Sequence, residues 1–396
     1  MKPRVLILTA GYGEGHNAAA RALAAACDAA HGPGTAQLAD LFELAAPRFS
    51  RVSRRAYLAM INTTPRVWSA AYAWADRSMV LPRLFWLLRR ELRILQELIA
   101  HERPTVICST YPVYAFLLEK LAHTRGLAVP YFNIVTDSIS INSLWWRAAC
   151  AGWFVPNEDS ADMLRRAGVE PGRVYVSGFP VAPFFSAHAG EFQPPDLIAG
   201  AAPRILYIIN SGTRGATETA RRLLAETDWE ITCAVGRDEK LRRQLTPLAA
   251  NRARPAAVLG WTDQIPRLLM THHIVVSKAG GATTQEAIAA RCPMVVNQIV
   301  PGQEEGNYEL LRRYGAGALA ETPVAVVATL RRAFLDRGWV WRRWREALAL
   351  LTRPDAARDI AAQIIALSRE ANEPVPLPLR VAIEGPDVID GVTAGQ

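Results

Sequence analysis

Short apolar runs that alternate with longer helical stretches constrain this chain more than any other feature. "RVLIL" (4–8), "TVICS" (105–109), "YFNIV" (131–135) and "RVYVSG" (173–178) have the length and composition of strands, with helix-like sequence between them. That is the pattern of βαβ units, in which helices cover both faces of a parallel sheet. The pattern then restarts. After a stretch rich in Pro, Gly and Phe (178–203) come "RILYIIN", "EITCAVG", "AVLGW", "HIVVS" and "PMVVN". An α/β chain with two doubly wound, Rossmann-like domains is expected, over 1–185 and 200–340. Residues 341–371 read as C-terminal helices that pack back on the first domain, and 372–396, rich in Pro and Gly without periodicity, as a poorly ordered tail. With 396 residues and 50% hydrophobic content, the chain can bury a full core in each domain.

Five scattered cysteines (27, 108, 150, 233, 292) form no CxxC pair, which points away from a disulfide framework or a zinc site and toward a reducing, cytoplasmic setting. The apolar start "MKPRVLILTAGYG" is too short for a signal-peptide core, and no 18 apolar residues run together, so no membrane span is expected. Charge is concentrated. Residues 48–93 hold ten arginines against Asp76 and Glu91, which equals the net charge of +8 of the whole chain. The same segment carries Trp68, Trp74, Trp86, Tyr57, Tyr72, Phe85 and leucines 84, 87, 88, 92 and 95 at helical spacing. Such helices suit an anionic membrane surface; they also fit ordinary helices with a solvated basic face. No zinc-finger, RNP or basic-zipper pattern supports nucleic acid.

Each half places glycines after a strand. In "LILTAGYGEGHNAAARAL", Gly11, Gly13 and Gly15 lead into a helix, which aims backbone amides and a helix N-terminus at whatever sits above the first strand. His16 stands at that junction, as a general base or as a polar cap. In "VSKAGGATTQEA" (275–286) a strand ends at Lys278, Gly280 and Gly281 follow, and a helix begins with Thr283 or Thr284 as its cap. Amides and a lysine favour a phosphate, whereas Glu286 one turn in would face hydroxyls, so a sugar-bearing diphosphate satisfies both. In "NQIVPGQEEGNYELL" a Pro-Gly turn groups Gln303, Glu304, Glu305 and Asn307, amides and carboxylates that suit a polyhydroxyl ring.

Here the chain resembles a known family. "VLGWTDQIPRLLMTHHIVVSKAGGATTQEAIAARCPMVVNQIVPGQEEGNYELLRRYGAG" is similar to the C-terminal half of glycosyltransferase family 28 enzymes, the monogalactosyldiacylglycerol synthases and processive diacylglycerol glucosyltransferases. "GYGEGHNAAARAL", "TDSISINSLWW" (136–146) and "VSGFPVAPFF" (176–185) are similar to that family's glycine-histidine, Thr-Asp and interdomain segments. The resemblance covers roughly residues 4–320. It implies a GT-B fold with two domains facing a central cleft, and inverting transfer of a hexose from UDP-glucose or UDP-galactose to a membrane lipid, with no cofactor and no metal. It implies His16 as the base, Asp137 as its support or as a residue that positions the acceptor, and Gly13 and Gly15 on the acceptor side. For the donor it implies Lys278, Gly280, Gly281 and Thr283 at the diphosphate, Glu286 at the ribose, Gln303, Glu304 and Asn307 at the hexose, and Gly260, Trp261 and Thr262 at the uracil. Ser211, Gly212, Thr213 and Gly236 complete that donor set. An enzyme peripheral on the inner face of the cell membrane follows, docked through 48–93. A GT-B enzyme with a soluble acceptor, a sugar-nucleotide 2-epimerase and a non-catalytic sugar-nucleotide sensor remain as alternatives. The chain departs from the family in "NSGTRG" after "RILYIIN", where the glycine cluster is usually denser, and in Ile141-Asn142, where a histidine is usual.

Overall fold

The structure, a computed structural model, describes residues 2–63, 85–139, 141–210, 215–300 and 304–370. The first domain is a six-stranded, all-parallel sheet in the order β2-β1-β3-β4-β5-β6. Its strands are β1 (Val5–Thr9), β2 (Ala36–Asp40), β3 (Val106–Ser109), β4 (Tyr131–Ile134), β5 (Gly152–Val155) and β6 (Val174–Val176). Its helices are α1 (Glu14–His31), α2 (Leu41–Ala45), α3 (Pro47–Thr63), α4 (Arg89–Glu102), α5 (Pro112–Arg125) and α6 (Glu158–Arg166). After the short α7 (Phe184–Ala187) the second sheet follows, in the order β12-β11-β10-β7-β8-β9. Its strands are β7 (Arg204–Ile208), β8 (Glu230–Ala234), β9 (Ala256–Leu259), β10 (Ile274–Lys278), β11 (Met294–Gln298) and β12 (Gly317–Leu319). Between and after them run α8 (Ala216–Glu226), α9 (Glu239–Ala250), α10 (Ile265–Thr271), α11 (Gly281–Ala289), α12 (Glu305–Tyr314), α13 (Pro323–Leu351, broken by non-helical backbone at Leu335, Asp336, Arg337 and Gly338) and α14 (Ala356–Glu370).

Alternation along each strand explains why helices cover both faces. Val5 and Ile7 of β1 face one core with Val106, Cys108, Phe132, Ile134 and Phe154. Leu6 and Leu8 face the opposite core with Ile107, Tyr131, Trp153 and Trp145. Strands buried on both faces read as continuous apolar runs, which is what the sequence shows. The first core is closed by α1 and also by α14, whose Ile360, Ala361, Ile364 and Ile365 join it. The chain thus returns from the second domain to finish the first. Gly178 permits that return. It sits at φ 90°, and a Cβ there would lie 2.7 Å from Cβ of Arg353 and 3.0 Å from Cβ of Ala356, so both conformation and space require glycine.

In each sheet the strand order reverses at a switch point, between β1 and β3 in the first and between β7 and β10 in the second, where a crevice opens beyond the strand ends. The two crevices meet. A Cβ on Gly15, at the start of α1, would lie 3.9 Å from the Ala282 amide nitrogen, and one on Gly281 would lie 3.8 Å from the Thr136 carbonyl oxygen beyond β4. The Arg313–Asp159 ion pair (2.7 Å) joins α12 to α6 across the same junction.

β2, β5 and β12 had no counterpart among the apolar runs. β2 ("AQLAD") and β12 ("GAL") are edge strands, only partly buried, so their sequences carry little apolar signal. β5 ("GWFV") is fully buried yet only four residues long. The tail 372–396 lies outside the described residues.

Candidate functional site

The histidine turn is built from the end of β1 outward. Gly13 precedes α1 at φ 144°, a conformation that L side chains rarely adopt. His16, in the first turn of α1, then points over the switch point. Its Nδ1 lies 2.8 Å from Oγ1 of Thr136. Tyr111 meets the ring edge-on at 5.2 Å between centroids, and Trp145 packs at 6.3 Å. Burial pushes the His16 pKa below its ordinary value, against the opposing pull of the Asp137 carboxylate and a backbone hydrogen bond with Thr110. The ring is therefore neutral at neutral pH and able to take a proton. Asp137 Oδ2 accepts from Trp145 Nε1 at 2.7 Å, and its field reaches the imidazole.

The floor of this turn holds an unexpected residue. Asp40, at the end of β2, accepts from the Gly11 amide (2.9 Å), the Glu43 amide (3.0 Å) and Arg54 Nη2 (2.5 Å). Arg54 also pairs with Glu43 at 3.4 Å, and its guanidinium lies against Gly11. Arg54 was counted with the membrane-facing arginines; it turns inward instead and clamps α3 to the glycine turn. Tyr12 adds a second tie through its hydroxyl to Ser53 (2.7 Å).

The start of α3 is consequently inverted. Ser50, Ser53 and Arg54, at spacings of three and four, face the protein, whereas Phe49 (70% exposed) and Val52 (63%) face outward beside Arg48 and Arg51. Trp68, Trp74, Tyr72, Arg66, Arg77, Arg83 and Leu84 lie outside the described residues, as do the side chains of Arg55, Tyr57, Phe85 and Trp86.

On the facing domain, Gly280 and neither threonine precedes α11 as its N-cap; Thr284 is buried. The first amides of α11, at Gly281, Ala282 and Thr283, point into the cleft, as the start of any helix leaves them. Lys278 Nζ is held by Glu304 Oε1 at 2.7 Å, and Glu304 Oε2 accepts the Val300 amide at 3.0 Å. Asn307 Nδ2 donates to the Ala279 carbonyl at 2.9 Å. Glu304 and Asn307, read as hexose contacts, also brace the Lys278–Gly281 turn. The Asn307 Oδ1 is buried with no hydrogen-bond partner among the described residues. Gln303, Ser211, Gly212 and Thr213 lie outside the described residues. Asn210, just before them, donates through Nδ2 to Ser277 Oγ (3.1 Å) across the second switch point. Gly236 (φ 59°) and Gly260 approach each other, a Cβ on Gly260 lying 3.6 Å from the Gly236 carbonyl oxygen. Beside them Trp261 is 70% exposed, and Thr262 Oγ1 accepts the Gln264 amide at the start of α10.

Glu286 sits where the two domains meet. It lies on α11 in the fields of Arg21 and Glu14 of α1, and burial pushes its pKa up to about 7. A carboxyl raised in this way is neutral in the folded state where the unfolded chain is already ionised. Its destabilising ionisation is complete above pH 7 and absent below about pH 4.5. Glu286→Gln is therefore expected to stabilise the protein at pH 8 by up to roughly 3 kcal/mol and to leave it unchanged at pH 4. Urea denaturation at both pH values measures this, and equal effects at the two would place the carboxylate in solvent.

Among the described residues, no group of three His, Cys, Asp or Glu is placed to hold a metal ion, and no helix is long and apolar enough to cross a membrane. All five cysteines are free and buried.

Two doubly wound domains whose strand ends meet, a histidine turn facing a helix opened by two glycines, are the GT-B fold. Solved structures with this fold superpose on the chain. The kitacinnamycin glycotransferase gives a TM-score of 0.59 at 16% identity, over 96% of this chain and 100% of that one. The calicheamicin glycosyltransferase CalG4 gives 0.57 at 13%, over 93% and 99%. A UDP-N-acetylglucosamine 2-epimerase from Listeria monocytogenes gives 0.59 at 14%, over 96% and 100%. Sequence narrows the likeness further. Residues 16–181 match the family described as monogalactosyldiacylglycerol (MGDG) synthase. A processive diacylglycerol β-glucosyltransferase of Bacillus pumilus is 25% identical over 317 residues, 79% of this chain and 82% of its own. One of Bacillus cytotoxicus is 23% identical over 381 residues, 95% and 96%. The resemblance drawn from the motifs is borne out: the chain is similar to this group along most of its length.

Proposed function

We propose that this chain is an inverting glycosyltransferase that moves a hexose from a UDP-sugar to a hydroxyl of a membrane lipid, diacylglycerol being the acceptor that its relatives' names give. The observation that carries this reading is the meeting of the two switch points, with neutral His16 on one side and the amide end of α11 on the other. An attacking alcohol must lose its proton, and a departing UDP must have its growing charge met; His16 and the α11 amides with Lys278 supply the two functions without a metal. Asp137 keeps the imidazole basic. On the donor side Trp261 offers a face to the uracil, Gly236 and Gly260 shape that turn, Thr283 flanks the diphosphate, and Glu286 takes the ribose hydroxyls. The Glu304–Asn307 brace borders the hexose. Gly13, Gly15, Tyr12, Phe42 and Tyr111 line the acceptor's approach to His16. Product analysis of the purified protein with labelled UDP-glucose and UDP-galactose, against diacylglycerol and a panel of soluble acceptors, tests the reading. Labelled glycolipid supports it; glycosylation of soluble acceptors alone, or epimerised donor, overturns it.

The inverted face of α3 supports docking on an anionic membrane from the cytoplasmic side. Phe49 and Val52 would enter the headgroup layer, where Arg48 and Arg51 meet anionic lipid, while Arg54 stays with Asp40. Arg48→Gln with Arg51→Gln is expected to weaken binding to anionic vesicles roughly 30-fold, at about 1 kcal/mol per charge. Added salt should weaken the wild type as well. Co-flotation with liposomes measures both, and no binding by the unmutated protein at low salt would return α3 to a face on an enzyme with a soluble acceptor.

A further inference from the structure

We propose that Thr136 is the positioning residue of His16, holding the imidazole by its hydroxyl and fixing it against the donor-side turn by its backbone. This rests on the reading of His16 as the base. Thr136 follows β4 and is only 6% exposed. It stands 120 residues from His16, yet its Oγ1 is 2.8 Å from Nδ1. Its carbonyl oxygen lies 3.8 Å from the place a Cβ would take on Gly281, the first residue of α11. One residue therefore meets the base through its side chain and approaches the start of α11 with its main chain. Its neighbour Asp137 is held differently, by Trp145 Nε1 at 2.7 Å. Trp145 is itself fixed, its carbonyl accepting from Trp153 Nε1 (2.6 Å) and Asn133 Nδ2 (3.2 Å). The labour divides accordingly: Asp137 contributes charge, Thr136 orientation.

The chemistry favours a hydroxyl at this place. A ring that receives a proton on Nε2 carries its own on Nδ1, and a hydroxyl oxygen accepts that N–H in both the neutral and the protonated ring. The imidazole then need not turn when the acceptor proton arrives. A hydroxyl that is only a packing element would do none of this, and valine, which has the same shape, would replace it without effect.

The test compares Thr136→Val and Thr136→Ser with His16→Ala in the full chain. Valine is expected to lower kcat roughly 10- to 100-fold, the loss of one hydrogen bond to a group that becomes charged, with UDP affinity and thermal midpoint close to wild type. Serine should recover kcat to within roughly threefold of wild type, since it restores the oxygen. Removing one acceptor of a ring N–H disfavours the protonated ring, while the Thr110 backbone bond stays in place. The acidic limb of kcat/KM should therefore move to lower pH in the valine variant and return in the serine variant, with the Asp137 carboxylate and the Tyr111 side chain facing the ring unchanged in both. Valine added to His16→Ala should cause no further loss. Wild-type kcat and an unmoved limb in Thr136→Val, with His16→Ala inactive, overturn this inference alone. Equal losses in valine and serine with lowered thermal midpoints overturn it in favour of packing. Full activity of His16→Ala overturns the reading of the base, and this inference with it.

Discussion

Replacing His16 by alanine is expected to lower turnover by roughly 10² to 10⁴ while UDP affinity stays near the wild-type value, because a general base acts on the acceptor's proton in the transition state. The environment of the ring makes the expectation specific. Burial lowers its pKa and Asp137 raises it, so the acidic limb of the pH–rate profile marks the point where His16 gains its proton and activity is lost. Asp137→Asn removes the carboxylate that favours the charged ring, so the limb should shift to lower pH. A histidine that merely begins a helix would leave both turnover and limb unchanged on substitution, and radiolabel transfer from UDP-hexose across a pH series distinguishes the two.

The central strands were legible because they are buried on both faces, which leaves little room for polar residues in their sequences. The glycine turns were legible for a related reason: a strand that ends in glycine before a helix has few structural meanings other than a close approach. Partnerships across the fold were not legible. Nothing local to His16 announces Thr136, 120 residues away, and nothing local to Lys278 announces that Glu304 will hold it. The glutamate reads as a sugar ligand because amides and carboxylates cluster beside it; its bonds to Lys278 and the Val300 amide, which make it a brace as well, lie outside that local pattern. The arginine count over 48–93 misled in the same way. Composition records how many charges a helix carries and says nothing of the face each one takes, so Arg54, bound to Asp40, was grouped with Arg51, which is exposed. A finer signal was available in α3. Phe49 and Val52 share one face of its first turns while Ser50, Ser53 and Arg54 share another, which is the reverse of the usual arrangement of a surface helix.

Lys278→Ala is expected both to weaken UDP binding more than tenfold and to destabilise the fold by about 3 kcal/mol, and the two effects have separable causes. The first follows from the place of the ammonium, at the end of β10 beside the opening amides of α11, where a diphosphate would gain a charge-assisted contact. The second follows from Glu304, whose side chain is 8% exposed and whose carboxylate would be left, among the described residues, with the Val300 amide. Removing one member of a buried pair leaves an uncompensated charge, whereas removing both leaves none. Lys278→Met combined with Glu304→Gln should therefore recover most of the stability lost by Lys278→Ala and none of its UDP affinity. Urea denaturation reads the first quantity and calorimetric titration of UDP the second. If the paired variant were as unstable as Lys278→Ala, the buried carboxylate would not be the cause of the loss. If both variants bound UDP like the wild type, the turn from Lys278 to Gly281 would not be where the diphosphate sits, and the lysine would serve only to neutralise Glu304.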